Sequence, residues 1–434
     1  GFAPSFMPEF LFPFQEFIVD WAVRKGRAAI FADCGMGKSP MELVWGQNII
    51  EKTNKPVLLI TPLAVSYQML NEADKFGVEA CRAETEPSKA IIHITNYEKL
   101  HYYNPSEYGG VILDESSILK NFGGKRRRQI TEFMRVIPYR LLGTATAAPN
   151  DWVELGTSSE ALGYLGYQDM IGKFFTHRQS YRSGKRQDYY IKGWAAKGPF
   201  WEWVGSWAMA ARKPSDLGFD DNGFILPPLI ENDIKIGASE PTPGMLIDMP
   251  AVGFHEELEA TKRTIKDRCE AVVERVSEHD VSMVWCNRNA EGDLLEKIIP
   301  NSVQIAGRHS EEQKVEAAKW FVHGKEQKRI LISKPSIFGF GMNFQHSSHA
   351  TYFPTHSYEG YYQATRRQWR FGQEKPVTID RIYTNGGKRM LKNLKRKSEQ
   401  AEEMFEDLIK FMGSNLTLKS NYEQKEINIP SWMN

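Results

Sequence analysis

The stretch AAIFADCGMGKSPMELVWGQNII, residues 28–50, decides how this sequence is read. A short apolar run, AAIF, gives way to a loop carrying Gly35 and Gly37, and a helical pattern opens at Lys38 and Ser39. Strand, glycine-rich loop and helix in that order form a phosphate cradle, because backbone N–H groups at a helix N-terminus bind phosphate oxygens. Lys38 would neutralise the β- and γ-phosphates of ATP, and Ser39 would offer its hydroxyl to Mg2+. The usual form of the motif begins with glycine, and here Ala32 stands in that place. A tight turn needing glycine for geometry alone accounts for the glycines, but not for the Lys-Ser pair beside them. What decides between the two is the rest of the chain.

Working outward, short apolar runs alternate with helical patterns. AAIF (28–31), VLLI (57–60), AIIHI (90–94), GVILD (110–114) and YRLLG (139–143) each read as a buried strand, and SYQMLNEADKF (66–76) as an intervening helix. Continuous apolar strands alternating with helices imply a parallel sheet covered on both faces. The rhythm returns in VSMVWC (281–286), SVQIAG (302–307), RILISK (329–334), HATYFP (349–354) and VTIDRIYT (377–384). The expected fold is α/β, with two tandem parallel-sheet lobes over 1–155 and 245–395. An aromatic-rich helical insert and linker is expected over 156–244, and a C-terminal helix and tail over 396–434.

Composition narrows the partners. At 434 residues, with 41% hydrophobic and 25% charged residues, the chain is globular in character. A net charge of +1 gives no overall bias toward polyanions, but KRRR (125–128), RRQWR (366–370) and KRMLKNLKRK (388–397) are local basic patches that permit one. The longest apolar runs fall far short of a membrane span, so no membrane partner is expected. The N-terminus lacks a basic lead and a small-residue cleavage site, which reads as no signal peptide, and the opening Gly1 reads as a processed or tagged start. Cys34, Cys81, Cys269 and Cys286 form no C-x-x-C pair, against a zinc knuckle or disulfide frame. They fit a reducing compartment, and a cytoplasmic location is the expectation.

Two further groups of residues carry chemistry. Asp114 and Glu115 end the run GVILD, and the carboxyl end of a parallel strand faces the crevice where such sheets bind ligands. One carboxylate can hold Mg2+ while its neighbour takes a proton from the attacking water. A helix cap at Asp114 or Ser116 is the alternative, and the loop at 35–39 counts against it. In the second lobe, SIFGFGMNFQ (336–345) carries Gly339 and Gly341, and YYQATRRQWRFGQ (361–373) carries Arg367 and Arg370. Arginines three apart on a helix share one face, and presented to a bound triphosphate they could act as arginine fingers. A surface salt-bridge cluster is the plainer reading of those arginines taken alone.

In this order the motifs resemble those of helicase superfamily two, most closely its Swi/Snf-like branch of ATP-driven DNA translocases, over nearly the whole chain. FPFQEF (12–17) looks like the upstream glutamine motif, which implies that Gln15 reads the adenine. FADCGMGKS matches the family's form in which alanine before the acidic residue is normal, so Ala32 is no defect. LLITPLAVSYQ (58–68), HITNYEKL (93–100) and LGTATAAPN (141–150) look like the strand-contacting and coupling motifs. They imply nucleic-acid contacts from Thr61, Thr95, Asn96 and Thr144. DESSILKN (114–121) resembles the acidic box with its trailing Lys-Asn. DWVELG (151–156), ARKPSDLG (211–218) and ILPPL (225–229) echo the connector, and QATRRQWRFGQEKPV (363–377) is the most specific match. Two departures stand out: Ser117 replaces a frequent histidine, and GTATAAPN replaces the usual Gly-Thr-Pro core.

The resemblance implies two RecA-like lobes and a compact protein of phage or bacterial type. ATP and Mg2+ would be held by Gln15, Gly35, Gly37, Lys38, Ser39, Asp114, Gly339 and Gly341, with Lys38, Glu115, Arg367 and Arg370 catalytic. It further implies a monomer that tracks DNA, duplex by preference, through sequence-independent backbone contacts, with RNA left open. Two alternatives remain. One is a strand-separating helicase on forked DNA or RNA, which an aromatic wedge within 160–210 would favour over an ordinary core. The other is an ATP-switched nucleic-acid clamp, which would need neither Glu115 nor paired arginines.

Overall fold

The structure is a computed structural model, and it describes residues 1–83, 89–121, 123–179, 187–338 and 343–423. The chain divides into two compact units, one built from residues 1–221 with 401 onward and the other from 222–400.

The first unit is built on a parallel sheet. In chain order its strands are β1 (Arg27–Ala32), β2 (Val57–Thr61), β3 (Ala80–Arg82), β4 (Ile92–Asn96), β5 (Gly110–Asp114) and β6 (Tyr139–Gly143). A separate antiparallel pair follows, β7 (Phe175–Gln179) and β8 (Gln187–Ile191), and then β9 (Ala208–Ala211). Across the sheet the order is β3-β4-β2-β5-β6-β1-β9, with every pairing parallel. Strands β2, β4 and β5 are buried at every position, which is why VLLI of β2 and GVIL of β5 read as unbroken apolar runs.

The stretch 156–244, expected as a separate insert and linker, is instead divided between the units. Its β9 completes the first sheet by pairing Ala208–Ala211 with Ala29–Ala32 of β1. The aromatic residues around it are core: Phe200, Trp201 and Trp207 are fully buried. Trp207 meets Phe31 edge-on at 6.1 Å, and Trp201 meets Trp152 at 5.2 Å. Those rings form no wedge. The long helix Lys388–Glu423 also departs from the expected boundary at 396. From Ala401 it belongs to the first unit, where Met404, Leu408 and Met412 are buried and Lys197 pairs with Asp407 at 2.8 Å.

The second unit holds β10 (Leu229–Lys235), β11 (Val281–Trp285), β12 (Ser302–Ile305), β13 (Arg329–Ser333), β14 (His349–Tyr352) and β15 (Val377–Tyr383). They form a parallel sheet in the order β10-β15-β14-β11-β13-β12. Cys269 and Val272 of the helix Ile265–Ser277 pack with Val284, Leu295, Ile330, Ile332 and Phe353 in its core. Edge strand β10 is tied in by Arg381, which reaches Glu231 at 3.0 Å and Asp233 at 2.8 Å. Among the described residues no helix is long and apolar enough to cross a membrane.

Candidate functional site

In the first unit, β1 ends at Ala32 and the chain turns through Asp33–Gly37 into the helix Lys38–Thr53. Two positive φ values make the turn, 95° at Gly35 and 75° at Gly37. At Gly37 a second constraint acts, since an added methyl would lie 2.2 Å from Nε2 of Gln15. Gln15 itself is 4% exposed and spends its amide on the backbone. Nε2 donates to the Met36 carbonyl at 2.9 Å, and Oε1 accepts from the Phe12 amide at 3.0 Å. It therefore braces the loop from behind. The Asp33 amide donates to Ala211 of β9 at 3.0 Å, and the Asp33 carboxylate accepts from the Cys34 amide at 2.7 Å.

Lys38 is the first residue of the helix, and its ammonium donates to the Ala32 carbonyl at 3.1 Å. Burial pulls its pKa down, but the negative field of Cys34, Glu115, Asp114 and Glu42 outweighs this and raises it. The lysine stays charged. Ser39 follows it, half-buried, on the same first turn.

The acidic pair sits at the carboxyl end of β5. Thr61 donates to Asp114 Oδ2 at 2.9 Å, and the Glu115 amide donates to Asp114 Oδ1 at 2.9 Å. Tyr97 donates its hydroxyl to the Asp114 carbonyl at 2.5 Å and to that of Glu115 at 3.3 Å. Glu115 has φ 50° and ψ 51°, a left-handed conformation that a residue with a side chain rarely adopts. Such backbone persists only where its surroundings hold it, and it collects at functional sites. Thr144, just past β6, reaches Glu115 Oε2 at 3.5 Å and accepts from the Thr146 amide at 3.0 Å.

The four residues expected at a nucleic-acid surface are placed differently. Thr61, Thr95, Asn96 and Thr144 are all at most 5% exposed. Thr61 and Thr144 face the acidic pair, Thr95 donates to Tyr103 at 3.1 Å, and Asn96 caps the turn 97–102 by accepting from the Lys99 amide at 3.1 Å. Their side chains hold the strand ends together rather than present themselves outward.

In the second unit the arginines are not on a helix. The helix Tyr358–Thr365 ends before either, and both lie in the turns that follow. Arg367 is 7% exposed and donates to Gln363 at 3.2 Å, whereas Arg370 is half-exposed and bonds Asn343. Buried glutamines fix these turns: Gln368 donates to Ser347 and to the His349 carbonyl, each at 2.8 Å, and Gln373 to the Ser347 carbonyl at 3.1 Å. Arg366 stacks on Trp369 at 4.1 Å. Gly339 and Gly341 lie outside the described residues.

Two residues beside the acidic pair carry no sequence expectation. Tyr97 is one. The other is Glu42, 1% exposed on the first turns of the helix Lys38–Thr53. Its signal was its spacing, four residues beyond Lys38 and so on the same helix face.

No protein-family model matches the chain. Over 162 residues it is 28% identical to the TATA-binding protein-associated factor MOT1 of Saccharomyces cerevisiae, covering 32% of this chain and 9% of that protein. Over 169 residues it is 26% identical to the putative protein p41 of Acyrthosiphon pisum secondary endosymbiont phage 1, covering 33% of this chain and 37% of that one. Among solved structures it matches the Sulfolobus solfataricus SWI2/SNF2 ATPase core in complex with dsDNA, with a TM-score of 0.42 and 16% identity, over 86% of this chain and 87% of that one. The chain spans well under half the length of either curated relative.

Proposed function

We propose that this Swi/Snf-like chain is an ATP-driven DNA translocase, hydrolysing Mg-ATP and moving along duplex DNA by contacts to the phosphate backbone. One observation carries the reading. Lys38 heads a helix beside the ends of parallel strands, within the field of an acidic pair whose backbone is held in a left-handed conformation. Glycine-shaped loop, charged lysine and paired carboxylates are the parts that phosphoryl transfer to water requires.

The donor set fits a magnesium triphosphate. Backbone N–H groups of 35–39 and the Lys38 ammonium suit phosphate oxygens. The Ser39 hydroxyl and the Asp114 carboxylate are hard oxygen ligands of the kind Mg2+ takes alongside phosphates and water. The ion would neutralise charge on the phosphates. Among the described residues no three His, Cys, Asp or Glu side chains gather as a metal site, and a magnesium ion shared with phosphates needs none.

Glu115 takes the proton of the attacking water, while Thr61 and the Glu115 amide hold Asp114 in orientation for the ion. Gln15 fixes the loop, in addition to the adenine contact that the resemblance implies. Arg367 and Arg370 keep the role the resemblance gives them, stabilising charge in the transition state. The preference for duplex DNA rests on DESSILKN and the Gly-Gln-x-x-x-Val ending of QATRRQWRFGQEKPV.

The test compares ATP turnover without polymer and with duplex DNA, single-stranded DNA and RNA. Duplex should stimulate hydrolysis, and the stimulation should fall steeply with salt, because counterions released into saltier solution gain less entropy. Lys38→Ala should lose nucleotide binding. Glu115→Gln should keep it while turnover drops on the order of a hundredfold or more. Displacement of the third strand from a triplex, with little unwinding of a fork, is the expected motor behaviour. Efficient fork unwinding without stimulation by blunt duplex would replace this reading by a strand-separating helicase. No stimulation by any polymer would refute the nucleic-acid part outright.

A further inference from the structure

Glu42 is a buried acid whose two carboxyl oxygens have no hydrogen-bond partner among the described residues. Buried polar groups are normally bonded, so an exception beside a reaction centre calls for a physical account. Its surroundings supply one. Gly143, the last residue of β6, leaves just the room this side chain takes: a methyl there would lie 1.8 Å from Glu42 Oε1 and 3.0 Å from Cδ. Gly143 is also central, paired with Asp114 of β5 on one side and with Ile30 of β1 on the other. The next residue, Thr144, donates its amide to Ile30 at 3.1 Å and its hydroxyl to Glu115 at 3.5 Å. That last bond is at the limit of useful length, so a few tenths of an ångström at Gly143 make or break it. Packing therefore runs unbroken from the phosphate-loop helix, through Glu42 and Gly143, to Thr144 and the carboxylate of Glu115.

We propose that Glu42 is a positioning residue for hydrolysis: wedged against Gly143, it carries the seating of the phosphate-loop helix to Thr144 and so sets where Glu115 reaches. This rests on the ATPase reading. A wedge of this kind works by shape. Burial, and then the field of Asp114, push the Glu42 pKa up against the opposing pull of Lys38. An amide of the same shape is then a fair copy. Glu115 is the residue most exposed to such control, because its left-handed backbone is stable only while its neighbours hold it.

The experiment uses the full chain with Glu42→Ala, Glu42→Gln, Gly143→Ala and the Glu42→Ala/Gly143→Ala pair. It reads kcat and KM for ATP, the affinity for a fluorescent ATP analogue, and thermal melting. Glu42→Ala should lower kcat by on the order of tenfold to a hundredfold, the scale of a reacting group displaced by about 1 Å. Analogue affinity and KM should stay within about threefold, and Glu42→Gln should recover most of the kcat loss. Gly143→Ala should lower kcat in the same way, and the pair should be no worse than either single change, since both break one linkage. A parallel fall of affinity, kcat and melting temperature in Glu42→Ala would reduce Glu42 to a packing residue. Equal loss in Glu42→Gln and Glu42→Ala would mean that charge, not position, is used. A wild type that hydrolyses no ATP fails the ATPase reading itself. A working wild type matched by Glu42→Ala fails only the role given to Glu42.

Discussion

Raising the pH from about 5 to about 8 should weaken the first unit through Glu154, which sits ten residues past Thr144, the partner of Glu115. Glu154 is 8% exposed and accepts from Asn150 twice, from the amide at 3.1 Å and from Nδ2 at 2.8 Å. Burial pushes its pKa from 4.5 up to about 7, against the downward pull of the two Asn150 bonds and of Lys120. The sign follows from linkage. A carboxyl whose folded pKa is raised binds its proton more tightly in the native state than in the unfolded chain. Its contribution is therefore full below 4.5, is lost as pH rises toward 7, and is gone above that. At about 1.4 kcal/mol for each tenfold in proton affinity, the loss is on the order of 3 kcal/mol. Glu154→Gln cannot ionise and removes this slope. It also gives up one of the two Asn150 bonds, at a cost of about 1 kcal/mol. The two stability curves should consequently cross: wild type ahead at low pH, the variant ahead by roughly 2 kcal/mol near neutrality. Denaturant melts of both proteins across the pH series measure this directly. Titration of other groups cancels in the difference between the two curves. Parallel curves would refute the reasoning.

Arg140 is 4% exposed and donates to the carbonyls of Ile137, Arg135 and Leu162 at 2.7, 2.7 and 2.8 Å, and burial, with the fields of Arg27 and Arg135, lowers its pKa to about 10. Arg140→Met should cost on the order of 3–5 kcal/mol in a denaturant melt by leaving those carbonyls unpaired, and Arg140→Lys should recover only part, because one ammonium cannot span them. Gly37→Ala combines a positive φ with a methyl 2.2 Å from Gln15. It should lower affinity for an ATP analogue by more than about tenfold with circular dichroism unchanged, and retained affinity would show that the loop does not hold phosphate.

The interior of the fold was legible because its central strands are buried on both faces. VLLI, GVILD, RILIS and their counterparts announce themselves as apolar runs, and each is a strand of a parallel sheet. The edges were not. Strand β9 is Ala-Met-Ala-Ala, without a β-branched residue, and its place is fixed by the alanines of β1 and the tryptophans around it rather than by its own propensity. Strand β10, LIENDIK, is half polar because it lies at a sheet edge. Its acidic residues are partners of Arg381, 150 positions from Glu231 in the chain, and no local window contains them. Both edge strands lie within 156–244, so missing them turned two sheet margins into one supposed insert.

The candidate site shows the same division between local and non-local information. Lys38, Asp114 and Glu115 could be placed from the sequence because each is tied to a strand end, and strand ends are set by runs of neighbours. What a hydroxyl at a strand end faces is not set that way. Thr61 and Thr144 read equally well as outward contacts and as inward bonds, and the choice depends on Asp114 and Glu115, 53 and 29 residues distant. The inward choice has a physical reason. A carboxylate buried to 6% exposure, as Asp114 is, needs donors, and a carboxylate on left-handed backbone, as Glu115 is, needs neighbours that make the alternative worse. Threonine meets both needs at once, since its hydroxyl donates while its branched side chain stays stiff at the strand end. Residues that look like a polymer-binding surface thus serve first to orient the acids. Any coupling of hydrolysis to movement that passes through Thr144 must act by moving the partner of Glu115, the same point at which Glu42 and Gly143 arrive from the phosphate loop.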